Sequence, residues 1–566
     1  MSEKIVLVQN DKIVNSDSTT AKLFNVYFNG ITKTLDIHEW PEDFGQKTDD
    51  PVCDAISRYS DHPSIIKIRD IFSGNSFEFT NTDTETVHKV VMSLNSKKST
   101  SGEISSKILQ KSANICSYTL KNSFNHCLDR TSFPESLKCA TVTPVFKEGD
   151  PTSVKNYRPI SILPTVSKVF EKIIANQLSP FLENCFSPLL CGFRKGHSTQ
   201  HAILRLLHLW QRAHDDSNIV GAVLMDLSKA YDCLPPDLLI AKLAAYGVQY
   251  NSLLFLYNYL TNRQHRVRIG NSLSSFLYIS MGVPQGSILG PILFNIFLND
   301  LFLSDRVAEL CNFADDNTLF AIAKTLAEVF LKLNIEIDDI LHWFRINSLV
   351  ANPGKFQVMF LGRFEPISTF DIGNITVKVK NQVKLLGIFI DDKLRFNSHV
   401  DLKCQSAANK ISTFISLKTA KALCNAYIFS NFNYCPLIWM NFVKGNNDKI
   451  EKIQRRALSV VYQNYNADIY ELLSIDKGVT FHIKFIFKLL EEIFKTVHKQ
   501  NPSFLHEIFT VKKSGHDLRR GEQLALPSTK TVKFGIQSLS FVGSLLWDRL
   551  PKDVKKSATF EIFKDK

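Results

Sequence analysis

Three aspartates occupy positions where a carboxylate is costly. Asp226 ends the apolar run Ile219-Val220-Gly221-Ala222-Val223-Leu224-Met225, which reads as a buried strand. Asp315 and Asp316 lie between Leu310-Cys311-Asn312-Phe313-Ala314 and Asn317-Thr318-Leu319-Phe320, a pattern of strand, tight acidic turn and strand. Neighbouring carboxylates at an apolar strand end repel one another and lose solvation, so they call for a cation. Hard oxygen ligands without a nearby His or Cys favour magnesium or manganese over zinc. Two such ions about 3.5–4 Å apart can clamp the attacking and leaving oxygens of a phosphoryl transfer. Taken alone, Phe313-Ala314-Asp315-Asp316 is more often a solvated hairpin turn. The surrounding motifs decide.

The elements that must hold these carboxylates belong to a chain of 566 residues, long enough for three or four domains. A hydrophobic content of 44%, with 42 Phe, gives ample material for cores and argues against disorder. The 67 Lys and Arg exceed the 55 Asp and Glu, for a net charge of +12, which suits a polyanionic partner. The basic residues are dispersed as dipeptides such as Arg455-Arg456, Arg519-Arg520 and Lys555-Lys556, and form no localisation signal. Eleven cysteines without a Cys-x-x-Cys pair point to reduced thiols in an intracellular protein. Met1-Ser2-Glu3-Lys4 lacks the pattern of a secretory signal. The apolar stretch Ile288 to Leu303 is interrupted by Pro291, Asn295, Asn299 and Asp300, and reads as a buried helix, not a membrane span.

Along the chain, residues 1–75 are mixed, with one helix expected at Ala21 to Thr34. A helical pattern starts at Asp83 and breaks at the basic loop Ser96 to Gly102. A strand is expected at Ala140 to Phe146, followed by a polar turn over Lys147 to Pro151. Strands and helices alternate to about residue 392; from Asp401 the chain turns mainly helical, and Ile450, Ile453, Ala457, Leu458 and Val461 form one apolar helix face.

Seven blocks then occur in order: Asn156-Tyr157-Arg158-Pro159-Ile160-Ser161, Gly192-Phe193-Arg194-Lys195-Gly196, Asp226-Leu227-Ser228-Lys229-Ala230-Tyr231-Asp232, Gly282-Val283-Pro284-Gln285-Gly286-Ser287, Phe313-Ala314-Asp315-Asp316, Asn352-Pro353-Gly354-Lys355 and Lys384-Leu385-Leu386-Gly387-Ile388. The series resembles the reverse transcriptase of non-LTR retrotransposons, in particular jockey-like elements of animals, and the resemblance covers roughly residues 80 to 560.

The resemblance implies an α+β right-hand polymerase, with fingers, a palm built on an antiparallel sheet, a thumb, and a mainly helical C-terminal extension. The corresponding segments are an N-terminal extension over 1–79, fingers with part of the palm over 80–215, palm over 216–395, thumb over 396–475 and extension over 476–566. It further implies that Asp226 and Asp315 bind two Mg2+ ions, for which Mn2+ can substitute, and that Asp316 completes the acidic set. Tyr231 matches the aromatic that excludes a 2′-hydroxyl; for a lone Tyr, a core role is the competing reading. Gln285, between Gly282 and Gly286, matches a residue beside the nascent pair, the glycines permitting close backbone approach. Arg158 and Lys147 fall in the fingers, where basic residues cradle the triphosphate, although surface charge accounts equally for Lys147. Arg194 corresponds to a template- or nucleotide-positioning residue; the family's usual Gln two residues before Gly192 is here Leu190. Lys355 matches a lysine that protonates pyrophosphate or assists closure, and surface charge rivals that role too. Gln454, Arg455 and Arg456 fall in the thumb, on a helix that would follow the primer–template duplex or else be a solvated face.

The implied partners are an RNA template, a DNA primer and deoxynucleoside triphosphates, with no membrane. No endonuclease constellation precedes the fingers, so target nicking is expected in trans or from a segment missing here, and a nuclear site of action follows for integration. The competing readings are a catalytically inactive relic and a host-adopted protein that binds RNA or RNA–DNA hybrid.

Overall fold

The computed structural model describes residues 5–9, 12–14, 16–38, 40, 48–95, 104–411, 417–440, 444–512 and 523–565. The loop expected over Ser96 to Gly102 and the Arg519-Arg520 pair lie outside these residues. The chain divides into two compact units, one of Met1–Ser187, Leu227–Asp305 and Asp339–Asn352, the other of Pro188–Asp226, Arg306–Asp338 and Pro353–Lys566.

In the first unit, the strand Cys139–Phe146 pairs antiparallel with Tyr157–Ile162 and parallel with Arg263–Ile269. Ser272–Leu273 and Leu277–Ile279 each add antiparallel to Arg263–Ile269. The polar turn after Phe146 is where the sequence places it, with Asp150 accepting from the Thr152 amide at 2.9 Å. The helix expected from Ala21 begins earlier, at Asp17, and ends at Gly30 before a short 3-10 turn, Thr32–Thr34. Phe24 meets Tyr157 edge-on at 4.9 Å, joining this helix to the sheet in one apolar cluster with Val142 and Val267. Two further helices, Pro51–Arg58 and Pro63–Phe72, were not expected. Each opens with Pro at its first position and is capped by the preceding side chain, Asp50 or His62, a start signal that helices of only 8 and 10 residues leave easy to miss. The apolar stretch from Ile288 becomes the helix Gly290–Leu298 and the 3-10 turn Asn299–Phe302. Among the described residues no helix is long and apolar enough to cross a membrane.

The second unit is built on a fully antiparallel sheet, ordered Gln357–Leu361, Ile219–Met225, Asp316–Ala323, Glu309–Phe313. Every residue of Ile219–Met225 is buried, as expected of a continuous apolar run in a central strand. The helix Thr199–Asp215 adds Ile203, Leu206 and Trp210 to the core shared by Val220, Ala222 and Leu224. Beyond residue 396 the described elements are helical, including Asn397–Ala408, Lys444–Tyr462, Phe481–Val497 and Leu539–Arg549. Ile450, Ala457, Leu458 and Val461 are buried on one face of Lys444–Tyr462, as the spacing implies, with Ile453 partly buried. All eleven cysteines are free thiols, six of them buried.

Candidate active site

Strand register places the acidic residues. Met225 pairs with Asn317 in the sheet, so one further residue sets Asp226 across from Asp316. On the other side, Gln357 pairs with Leu224, and the same register carried two residues on sets Lys355 across from Asp226. The side chains agree: Lys355 Nζ lies 3.3 Å from Asp226 Oδ2. Asp226 thus stands at the sheet end between an acidic and a basic neighbour, with Asp315 exposed in the adjoining turn.

That turn is tightly built. Ala314 has a φ of 57°, a left-handed conformation that costs a residue with a Cβ. Buried Asn312 donates from Nδ2 to Ala314 O at 2.7 Å and to Asn317 Oδ1 at 3.0 Å. Buried Asn317 in turn donates to Asp315 O at 3.2 Å. A Cβ on Gly192 would collide with the Ala314 nitrogen, so the Gly192 position admits the turn only as glycine. Leu190 forms a parallel bridge with Asn312 and is fully buried, which accounts for an apolar residue where the resembling family has Gln. Arg194 folds back on this loop, donating to Leu190 O at 3.0 Å. Sequence reasoning missed the two asparagines, although they flank the acidic pair at its nearest polar positions.

The carboxylates offer only hard oxygen donors on adjacent chain segments, the donor chemistry of a divalent cation of the magnesium type. Among the described residues, no three His, Cys, Asp or Glu side chains already close into a metal cluster.

The other nucleotide-site candidates belong to the first unit. Tyr231, in the 3-10 turn Ala230–Asp232, stacks on Phe294 at 4.4 Å and 15°. The loop Gly282 to Ser287 is clamped along its length. Gly282 N donates to Leu234 O at 2.8 Å, Val283 N to Tyr231 O at 3.0 Å, and Ser161 N to Gln285 O at 2.8 Å. Gly282 and Gly286 have φ of 87° and 122°, and a Cβ there would stand 2.7 Å from Tyr231 O and 2.5 Å from Ser161 O respectively. The glycines therefore serve close backbone packing in the loop itself.

Gln285 Nε2 donates to both carboxylate oxygens of Asp232, each at 3.1 Å. Burial pushes the Asp232 carboxyl up to about 6, against the opposing pull of Gln285 and Lys229. Behind the loop, buried Glu171 accepts from Ile288 N at 2.6 Å and from Tyr259 Oη at 3.0 Å. Burial raises its carboxyl while Arg263 and these donors oppose the rise. Neither acid was singled out from sequence, although Asp232 adjoins Tyr231. Arg158 and Lys147 are both exposed on the hairpin of the first sheet. Arg158 pairs with Val145, and the Lys147 amide donates to Asn156 O at 2.9 Å, so both cations lie at the same end of the hairpin.

Gln454 requires a correction. It is buried at 1% exposure and holds the loop before Phe481, donating to Val479 O at 3.0 Å and accepting from Phe481 N at 3.1 Å. Its helix turns this position inward, one residue before the solvent face, and its amide is taken up by the backbone. Arg455 and Arg456 are exposed on the same helix, Arg455 donating from Nε to Ala467 O at 3.0 Å.

Residues 145–390, which contain the three aspartates, match the family reverse transcriptase (RNA-dependent DNA polymerase). The chain is 30% identical over 390 residues to the probable RNA-directed DNA polymerase from transposon BS of Drosophila melanogaster, covering 62% of this chain and 42% of that protein. It is 27% identical over 301 residues to the RNA-directed DNA polymerase from mobile element jockey of the same fly, covering 51% and 33%. For the probable RNA-directed DNA polymerase from transposon X-element, also of Drosophila melanogaster, the identity is 26% over 357 residues, covering 60% and 39%. The chain thus spans about two fifths or less of the length of these relatives.

Proposed function

We propose that this chain, whose residues 145–390 match the reverse transcriptase family, is the RNA-directed DNA polymerase of a jockey-like non-LTR retrotransposon. The observation that carries this reading is the register that sets Asp226 between Asp316 and Lys355, with Asp315 in the turn beside them. A primer 3′-hydroxyl would attack the α-phosphate of a deoxynucleoside triphosphate, forming the new phosphodiester as pyrophosphate leaves.

Asp226, Asp315 and Asp316 would hold a pair of Mg2+ ions, or Mn2+ in their place. When bound, these ions acidify the primer hydroxyl and offset charge on the leaving pyrophosphate. Lys355, beside Asp226, would bring a proton toward that leaving group. Arg158 and Lys147, at the same end of the hairpin, would supply cations for the triphosphate. Tyr231, held flat against Phe294, is the candidate gate against a 2′-hydroxyl. Arg455 and Arg456 would meet duplex phosphates, as Arg194 would meet template.

On this reading the segments 80–215, 216–395 and 396–475 act as fingers, palm and thumb. RNA template and DNA primer are the macromolecular partners, target nicking falls to an endonuclease outside this sequence, and integration takes place in the nucleus.

Primer extension on poly(rA)/oligo(dT) with magnesium or manganese tests the proposal. Extension by wild type that disappears in Asp315→Ala/Asp316→Ala supports it. A folded wild type that binds the hybrid without extending it would sink the polymerase reading in favour of an inactive relic.

A further inference from the structure

Gln285 has little freedom left apart from its side chain. Its carbonyl is held by Ser161 N at 2.8 Å, and the residues leading to it are bonded to Tyr231 and Leu234. The side-chain amide has two ends, one donating and one accepting, and rotation by a half turn exchanges them. Asp232 removes that ambiguity. An ionised carboxylate only accepts, and both of its oxygens lie 3.1 Å from Gln285 Nε2. The donating end is therefore committed to Asp232, and Oε1 is turned the other way as an acceptor. Both residues line one cavity, with Ser161, Asn29, Arg263 and His265 among its other walls.

We propose that Asp232 is a positioning residue: it fixes the orientation of the Gln285 amide so that Oε1 accepts a hydrogen bond from a donor on the incoming deoxynucleoside triphosphate. This rests on the polymerase reading above.

The surroundings suit an orienting carboxylate. Lys229 supplies a neighbouring positive charge, while Tyr27 and Cys233 are the ionisable groups whose own protons Asp232 helps to retain. Arg263 and His265 face the same cavity from the strand Arg263–Ile269; burial holds His265 down at about 4, so it is neutral near pH 7.

The test is steady-state primer extension, with KM for the deoxynucleotide and kcat measured separately. Asp232→Ala frees the amide to rotate, and KM rises more than about tenfold while kcat falls less than about threefold. Asp232→Asn retains one acceptor oxygen and returns KM to within about threefold of wild type. Gln285→Glu sets two carboxylates face to face and raises KM by more than about tenfold; adding Asp232→Asn restores a donor–acceptor pair and lowers it again. Independent effects of the two sites, or a loss confined to kcat in Asp232→Asn and Asp232→Ala alike, would overturn the inference. A wild type that extends no primer would overturn the polymerase reading and this inference with it. Extension by wild type with no coupling between positions 232 and 285 overturns the inference alone.

Discussion

Lys355 Nζ lies 3.3 Å from Asp226 Oδ2, across the sheet end from the acidic turn. Side-chain exposures of 52% and 31% make this a solvent-screened pair, worth about 0–1 kcal/mol. Its consequence is competitive, because the ammonium and a divalent cation are drawn to the same carboxylate. Lys355→Met is expected to lower the magnesium concentration that half-saturates primer extension by about two- to fivefold, while reducing the maximal rate. A magnesium titration of both proteins reads this directly. An unchanged or raised half-saturation point would show that the pair does not limit cation binding.

The asparagine brace beneath the acidic turn gives a second expectation. Asn312→Ala removes the donor to Ala314 O and leaves Asn317 Oδ1 without that contact in a buried site. An unmade buried hydrogen bond costs about 1–3 kcal/mol. The left-handed Ala314 then loses its clamp, and Asp315 moves with it. Denaturant unfolding is expected to show a loss of that size, and single-turnover extension a rate lowered at least about tenfold. A stability loss with an unchanged rate would assign the brace to folding alone.

The limits of sequence reading can be traced to particular residues. Ile219–Met225 and the two strands around Asp315-Asp316 were legible because their burial follows hydrophobicity directly. The ordered motifs brought Asp226, Asp315, Asp316 and Lys355 to attention one at a time, but their neighbour relations depend on strand register, a long-range property. Gln454 misled because a polar side chain on a basic helix looks solvent-facing, whereas here backbone partners at Val479 and Phe481 bury it. Asp232 and Glu171 were overlooked for the converse reason: an acid held by a distant amide, or by a backbone N–H and a tyrosine hydroxyl, leaves no pattern in spacing.

His62 supplies a pH expectation. Its ring is fully buried, with Nδ1 accepting from Ser64 N at 3.2 Å and Nε2 3.0 Å from Ile346 O, so the folded state holds the neutral ring with its proton on Nε2. Burial lowers its pKa from 6.5 to about 4. The unfolded chain therefore binds a proton as pH falls below about 6.5 while the folded chain does not until about 4, and stability is lost across that window. The contribution is at most about 3 kcal/mol. His62→Gln is expected to flatten the decline of unfolding free energy between pH 6.5 and pH 4 relative to wild type, as followed by guanidinium denaturation at successive pH values. Parallel curves for the two proteins would remove His62 from the acid response.

The buried ion pair of the first unit explains how polar residues interrupt the apolar stretch after Ile288. Lys242 Nζ lies 2.6 Å from Asp300 Oδ1, with both side chains wholly buried. The same ammonium donates to Phe297 O at 2.7 Å, and Trp343 Nε1 donates to Asp300 Oδ2 at 2.7 Å. Phe297 and Trp343 also present ring faces to the cation, at 4.3 and 4.8 Å. Such a pair adds little net stability over apolar residues of the same volume, yet removing one partner strands a charge at a cost of about 3–5 kcal/mol. Lys242→Met is therefore expected to lower the unfolding free energy by about that amount. Lys242→Met/Asp300→Leu removes both charges, and it is expected to recover much of the loss, short of the hydrogen bond from Trp343. Chemical denaturation of wild type and the two variants decides: a double variant less stable than Lys242→Met would show that the stranded Asp300 carboxylate is not what the single substitution costs.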